Sequence, residues 1–495
     1  MFNLVNDPWI PVLCKESSKL VSLKEVFEDL SGISFVEGSS IEKISLIRLL
    51  LCITQAALKG PKTEKAWETC KEDIVSSSLK YLNKWKSKFD LYGKNAFLQM
   101  PWLPSLKNKT IDELKLCCPS GNNHALFDHR AFKETNVLPD PDLALALLIT
   151  QGFGVGGLIQ IPEFKWLGKK VPKLTSANAT SINNILLTII VGENLLDTLY
   201  HNIIPIEWLT GVKTMIFGSP VWEYDPFEIN GPEYKEIQSS YLSNLVPLTR
   251  GFILYPNDTS ITMTQGISSL DYPAYREPMA SLKTNKISAK PKKETGKKKD
   301  PKKAYLSCRL HRAGWRELES ILRTSNGADH KEVWAFRHFI NQIDAHPEII
   351  IMVGGFASFQ SKKEGVLEWV FTLPAGFLND SSMLKYKKFV ETTETCYKQL
   401  CSALWFCIKS ERKRDVPGDK DNTLAMMRNI ASTEYWPKME VLAMKTLETI
   451  TKDKDWKTEI LKITRDIFNR SCPDISMNSK VKGLQHLYSI KEEKE

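Results

Sequence analysis

Cysteine pairs are missing from this 495-residue sequence. Its ten cysteines are scattered, Cys117 and Cys118 being the only neighbours, and no C-x-x-C spacing occurs. Zinc ribbons and thioredoxin-like redox sites need such pairs, so both are excluded, and the thiols are expected to be free and mostly buried. The eight histidines are equally dispersed. His124 and His129 share a polar loop downstream of Cys117 and Cys118, but with neither C-x₂₋₄-C nor H-x₃-H spacing no metal site is expected there. Long apolar runs are absent too: "LALALLI" and "ILLTIIV" fall far short of the roughly 20 residues a membrane helix needs. The opening "MFNLVNDPWIPV" lacks a basic segment followed by an apolar one, which argues against a secretory signal and for a cytoplasmic location.

A chain of this length exceeds the size at which one hydrophobic core stops growing, so two or three domains are expected. Its formal net charge of +9 is concentrated in one place. From Lys283 to Lys303, "KTNKISAKPKKETGKKKDPKK" holds ten lysines against Glu294 and Asp300, a balance of +8. With Ile287 as its only large apolar residue, this segment cannot bury enough surface to offset its ordering entropy, and it reads as a flexible basic loop over 283–303. Clustered lysines release condensed counterions when they meet phosphates. Lys283, Lys286, Lys290, Lys292, Lys293, Lys297, Lys298 and Lys299 are therefore candidates for sequence-independent contact with a polyanion, a merely solubilising loop being the alternative.

Apolar periodicity lays out an α+β protein, with a large mixed N-terminal domain (1–378) followed by a C-terminal four-helix-type bundle (379–495). In "SLKEVFEDL", Ser22 and Glu25 form a capping box. "SSIEKISLIRLLLCITQAALKG" has apolar residues on nearly every face, which predicts a helix buried on most sides and stopped at Gly60 and Pro61. "DPDLALALLITQ" is helical by composition, with Asp140 and Asp142 as N-cap candidates, whereas "ITMTQ", "EIIIMV" and "VLEWVFTLP" have the β-branched and aromatic content of strands. Beyond Pro374 the spacing predicts helices over 381–411, 421–431, 434–451, 454–470 and 476–492.

"QGFGVGGLIQI" satisfies G-x-G-x-x-G through Gly152, Gly154 and Gly157. A dinucleotide-binding turn needs a strand before the first glycine and a helix opening at the last. Here a Leu/Ala-rich helix precedes, and strand-like residues broken by Pro162 follow, so that function is excluded. Four glycines, Gly156 included, nevertheless let backbone come close to something: either another part of this chain or an external ligand such as a nucleic-acid groove.

In their order, "LVNDPWIPV", "LLLCITQAAL", "QGFGVGG", "LTRGFILYP", "VGGFASFQ" and the closing bundle resemble the CasA family, the large subunit of the type I-E CRISPR surveillance complex Cascade. The likeness spans nearly the whole chain. It implies a subunit with no catalytic residues and no cofactor. Such a subunit recognises the protospacer-adjacent motif in double-stranded DNA, wedges the duplex open to start an R-loop, and offers a docking surface to an effector helicase-nuclease. The implied partners are the other Cascade subunits (backbone, small and guide-5′-handle), the CRISPR guide RNA, target double-stranded DNA and its displaced strand, with no membrane involved. Gly152, Gly154, Val155, Gly156 and Gly157 would form the minor-groove probe; a groove about 6 Å wide admits backbone that lacks Cβ atoms. Ser358, Phe359 and Gln360 would form the wedge hairpin, Gln360 at its tip. Leu126, Phe127 and Asp128, in "NNHALFDHR", would tip the loop that reaches the guide's 5′ handle.

Two departures from the family pattern bear on function. The paired cysteines with which some relatives bind structural zinc are missing. A lysine finger upstream of "YPAYREP" is also missing, since residues 252–275 contain no lysine or arginine; Arg250, Arg276 or a lysine of the basic loop are the available substitutes. Two rival classes remain to be weighed: a scaffold subunit that touches no nucleic acid, and a cysteine hydrolase using Cys117 or Cys118 with His124 or Asp128. The hydrolase lacks any evident oxyanion donor.

Overall fold

The computed structural model describes residues 2–15, 17–116, 137–166, 169–224, 231–283, 305–322, 332–340, 348–359, 362–378, 380–411, 422–449, 456–472 and 475–488. The chain divides into two compact units: Met1–Arg312 with Ser320–Asn341 and Ile349–Thr372, and Ala313–Glu319 with Gln342–Glu348 and Leu373–Glu495. The first mixes helices with small sheets and the second is largely helical, an α+β arrangement.

The first unit is organised around the helix Ser40–Leu58. Its N-terminus is closed by Glu42, whose carboxylate accepts from the backbone N–H and the hydroxyl of Ser39. Ile44, Leu46, Ile47, Leu49, Leu50, Leu51 and Ile53 are all buried, so the helix lies inside the core as its composition predicted. It ends at Lys59, which takes the left-handed conformation (φ 53°) one residue ahead of the expected glycine. Arg48, in the middle of this helix, is also buried. Its guanidinium pairs bidentately with Glu277 (2.9 and 3.1 Å) and donates to the carbonyls of Leu245 and Asn244. Such pairing is the condition under which a buried charge is tolerated. The Ser22–Glu25 capping box forms as expected at the start of Leu23–Glu28.

His338 belongs to the same unit. Its ring stacks on Trp67 with centroids 3.6 Å apart, and Nε2–H donates to the carbonyl of Ile203 at 2.8 Å. Burial pushes this imidazole down to about 3, so it is neutral.

Among the described residues there are five small sheets. Lys362–Pro374, Glu348–Phe359 and Leu187–Val191 form one sheet in that order, and Arg250–Leu254, Ser260–Gln265 and Lys109–Thr110 another. The N-terminal sheet places Ile10–Cys14 between Ser17–Val21 and Phe35–Val36. Two two-stranded sheets, Gly157–Ile161 with Leu174–Ala177 and Phe164–Trp166 with Lys169–Val171, follow the glycine loop.

Among the described residues of the second unit four helices follow one another: Asp380–Glu411, Asn422–Thr449, Trp456–Ser471 and Met477–Tyr488. The separate helices expected over 421–431 and 434–451 are one helix that runs through Pro437. Proline removes a backbone donor and crowds the carbonyl four residues earlier. Here Tyr435 and Met439, both fully buried, flank the proline, and the Tyr435 hydroxyl donates to Thr393 O at 2.7 Å. Packing on either side of the defect outweighs it.

Candidate nucleic-acid interface

The glycine loop begins inside the helix Asp140–Phe153 and ends in the strand Gly157–Ile161. Three of its glycines serve the protein's own packing. A Cβ on Gly152 would lie 3.0 Å from Ile182 Cδ1, one on Gly154 2.7 Å from Thr150 O, and one on Gly156 3.0 Å from both Ala177 O and Ala179 N. Gly157 differs, since a Cβ there would meet nothing within 4 Å. Gly152 and Gly154 are buried, Val155 and Gly156 half-buried, and Gly157 exposed beside Leu158, which is 78% exposed. The surface that an external ligand can reach is therefore Val155 to Leu158, with Gly152 and Gly154 beneath it.

Beneath the loop lies Arg250. The side chain is 2% exposed and donates to the carbonyls of Thr249, Val155 and Asn178. No carboxylate is among these acceptors, and burial pushes the guanidinium down to about 10, so it remains charged at neutral pH. Arg250 is thus the clamp that fixes the loop to residue 178, and it is no substitute for a mobile lysine finger. Arg276 is no substitute either: it is 1% exposed and donates to the carbonyls of Glu277 and Glu332. The reason is the same for both: each guanidinium is buried and engaged by groups of the protein itself.

Segment 178–186 ties the candidate regions together. Thr180 donates its N–H to Gly154 O (3.0 Å) and its hydroxyl to Gly152 O. Asn183 donates Nδ2–H to Phe153 O (2.7 Å) while its Oδ1 accepts from Ser358 of the strand Glu348–Phe359 (2.5 Å). Asn184 N–H donates to Phe356 O (3.1 Å) and Asn184 O accepts from Cys308 N–H (3.4 Å). Leu186 N–H donates to Leu306 O, and Leu306 N–H to Ser281 O. Leu282 and Tyr305 bridge there across the stem of the basic segment. Glycine loop, hairpin and basic-segment stem thus share one short backbone. The stem that leads to residues 117–136 joins them, for Thr150 Oγ1 donates to Leu114 O (3.2 Å) and Lys363 Nζ to Lys115 O (3.1 Å).

The hairpin strands Glu348–Phe359 and Lys362–Pro374 are connected only by residues 360 and 361, short enough for antiparallel pairing alone. Gln360, Leu126, Phe127, Asp128, Lys286, Lys290, Lys292, Lys293, Lys297, Lys298 and Lys299 lie outside the described residues, as do Cys117, Cys118 and His124. So does the side chain of Phe359. Lys283 is described, and its Nζ lies 3.3 Å from Ser307 Oγ in the stem. The glycines of "VGGF" are packing residues: a Cβ on Gly354 would fall 2.6 Å from Ser40 Cβ, and one on Gly355 2.5 Å from Ile185 O.

Asp140 does not cap its helix as expected. Pro139 takes the N-cap position, and Asp140 and Asp142 fall in the first turn, where Asp140 accepts from the Tyr92 hydroxyl at 2.6 Å. Pro139 has no side-chain acceptor to offer, and Pro141 in the first turn removes one of the backbone N–H groups a cap would serve. Of the described thiols, Cys52, Cys70, Cys308, Cys396, Cys407 and Cys472 are buried, and Cys14 and Cys401 half-buried, and none of these is joined in a disulfide. Among the described residues no three His, Cys, Asp or Glu side chains gather where they would hold a metal, and no helix is long and apolar enough to cross a membrane.

Residues 3–472 match the family model of CRISPR-associated protein Cse1. The CRISPR-associated protein CasA/Cse1 of Thermus thermophilus is 26% identical over 439 residues, covering 83% of this chain and 80% of that protein. Among solved structures, Thermobifida fusca Cse1 superposes with a TM-score of 0.77 at 18% identity, covering 98% of this chain and 97% of that one. A crystal structure of CasA from Thermus thermophilus gives 0.73 at 20% identity over 98% of each chain. A chain of a CRISPR RNA-guided surveillance complex gives 0.72 at 16% identity over 99% of each. The structural likenesses establish a shared fold; the family match, which runs through both units, establishes more, and the chain belongs to the Cse1, or CasA, family of CRISPR-associated proteins.

Proposed function

We propose that this chain is the non-catalytic large subunit of a type I-E CRISPR surveillance complex, recognising the protospacer-adjacent motif in duplex DNA and starting strand separation. The convergence on segment 178–186 carries this proposal. Phe153, at the root of the loop Val155–Gly157, and Ser358, beside Phe359 in the hairpin, are joined through Asn183 by two hydrogen bonds. A motif held at the loop is then tied through Asn183 to the hairpin strand at Ser358. That coupling is what a wedge needs in order to enter the stack at the first pair beyond the motif.

In this proposal the open backbone at Gly157 meets the minor groove, where readout is coarse, and Arg250 keeps the loop's shape. Phe359 and Gln360 enter the duplex. Leu126, Phe127 and Asp128 approach the guide's 5′ handle, and the lysines of 283–303 hold DNA through its phosphates without specifying sequence. The C-terminal unit supports the opened complex, and the surface of the subunit receives the effector helicase-nuclease. The partners are the other complex subunits, the guide RNA and both strands of the target.

Gel shifts of the reconstituted complex, with and without this subunit, on duplexes that differ only in the flanking motif test the proposal. Motif-dependent affinity that vanishes with the subunit is the expected result. Motif-independent binding in both preparations would leave the subunit a scaffold.

A further inference from the structure

The ribbon that follows the glycine loop has a composition the loop's function does not require. Residues 157–177, "GLIQIPEFKWLGKKVPKLTSA", carry Lys165, Lys169, Lys170 and Lys173 against Glu163 alone. Its first strand leaves Gly157 paired with Ala177, so the ribbon grows directly out of the loop's open end. One side of it is anchored: Ile159, Ile161 and Ala177 are buried, with Leu106, Phe164 and Leu174 packed against them. Beyond Pro162, Phe164 pairs with Val171 and Lys165 with Lys170. Lys165 and Lys170 therefore stand directly opposite each other on the face away from Phe164.

Like charges in that position destabilise a strand pair. Glu163 offsets part of the repulsion through an ion pair with Lys170 at 2.7 Å, in which both side chains are more than half exposed. Lys165 and Lys173, both exposed, have no ion-pair partner among the described residues. A two-stranded ribbon that keeps facing lysines in water is poorly arranged for stability and well arranged for a polyanion.

We infer that this ribbon is a second duplex-DNA contact, in which Lys165, Lys170 and Lys173 grip the phosphate backbone beside the motif. The inference rests on the proposed motif reading at Val155–Gly157. Lys173 lies four residues from Ala177 and Lys165 eight from Gly157, a reach of about 13 to 26 Å at 3.3 Å per residue. That span corresponds to roughly four to eight base pairs, so the ribbon meets duplex flanking the motif while the loop occupies the groove. Lysine ammonium groups are mobile point charges, and the ribbon adds affinity without sequence preference. Duplex DNA is favoured over guide RNA because the ribbon is continuous with the groove-facing backbone.

The test uses the reconstituted complex and its salt dependence of duplex binding. The K165A/K170A/K173A variant is expected to bind motif-bearing and motif-free duplexes more weakly by the same factor, with the slope of log K against log salt shallower by about 2 to 3. Glu163→Gln, which releases Lys170 and removes the opposing charge, is expected to tighten binding to both duplexes. If the parent complex discriminates the motif but neither variant changes affinity or slope, the ribbon assignment is wrong and the motif proposal stands. A parent without motif discrimination defeats the motif proposal and, with it, the ribbon assignment. Loss of the triple variant from the assembled complex, with guide RNA present and DNA absent, would assign these lysines to another partner and overturn the inference.

Discussion

Arg250 is buried beneath the glycine loop, and its side chain acts through the loop it supports. Three backbone carbonyls share its guanidinium, and two of them, on Val155 and Asn178, belong to the glycine loop and to segment 178–186. Leaving a buried carbonyl without its donor costs about 1–3 kcal/mol. Arg250→Met is therefore expected to raise amide exchange at Val155–Gly157 and Ala179–Thr180 by tenfold or more, and to erase motif discrimination while leaving non-specific DNA binding in place. Arg250→Lys should fall between, because one ammonium cannot span all three acceptors. Unchanged exchange in Arg250→Met would remove the clamp from the account. Arg250 was legible in "LTRGFILYP" as a cation near the site, but a sequence writes a buried and an exposed arginine identically. The glycines show the same limit: their spacing announces close approach, and only the placement of Thr150, residues 177–179 and Ile182 tells which of them face inward.

Elements were more readable than side chains, because periodicity follows directly from what an element buries. The Ser40–Leu58 helix, the Ser22–Glu25 box and the strands around "EIIIMV" and "VLEWVFTLP" all follow from local pattern. The helix Asn422–Thr449 did not, since Pro437 marks a break locally and only burial of Tyr435 and Met439 overrides it. Nor did pattern reveal how a helix buried on all faces keeps Arg48. Removing one partner of that pair strands the other: Arg48→Met is expected to destabilise the first unit by about 3–5 kcal/mol, and Arg48→Met with Glu277→Met by much less. Urea unfolding of the two variants beside the parent checks this, and a double variant destabilised as much as Arg48→Met would contradict it. For the basic segment, neutralising Lys292, Lys293, Lys297, Lys298 and Lys299 is expected to weaken DNA capture and flatten the salt dependence, with motif preference unchanged. An unaltered slope would make the segment a solubilising loop.

At the level of the molecule, acid is expected to act through the first unit's core. His338 in the folded chain stays neutral down to about 3, whereas an unfolded histidine takes up its proton near 6.5. Between those values the unfolded state binds the extra proton, so this stabilisation is complete above about pH 6.5 and is lost progressively as pH falls toward 3. Thermal melting of the parent should decline over that window with a steeper slope than that of His338→Gln, whose amide keeps a donor for Ile203 O without titrating; identical profiles would contradict the assignment. The link between the glycine loop and the hairpin is also a property of the whole. Segment 178–186 contains none of the residues that the family resemblance marks, yet it ties the glycine loop to the hairpin and meets the stem of the basic segment. No local motif records such long-range convergence, which is why the parts were readable and their coupling was not. The coupling is tested most directly by the rate at which the reconstituted complex melts a motif-bearing duplex, followed by fluorescence of a base analogue next to the motif. With Phe359→Ala and Gln360→Ala combined, initial duplex binding is expected to stay near the parent value while melting slows by at least about tenfold, the loss of roughly 1.4 kcal/mol of insertion energy; melting at the parent rate would contradict the account.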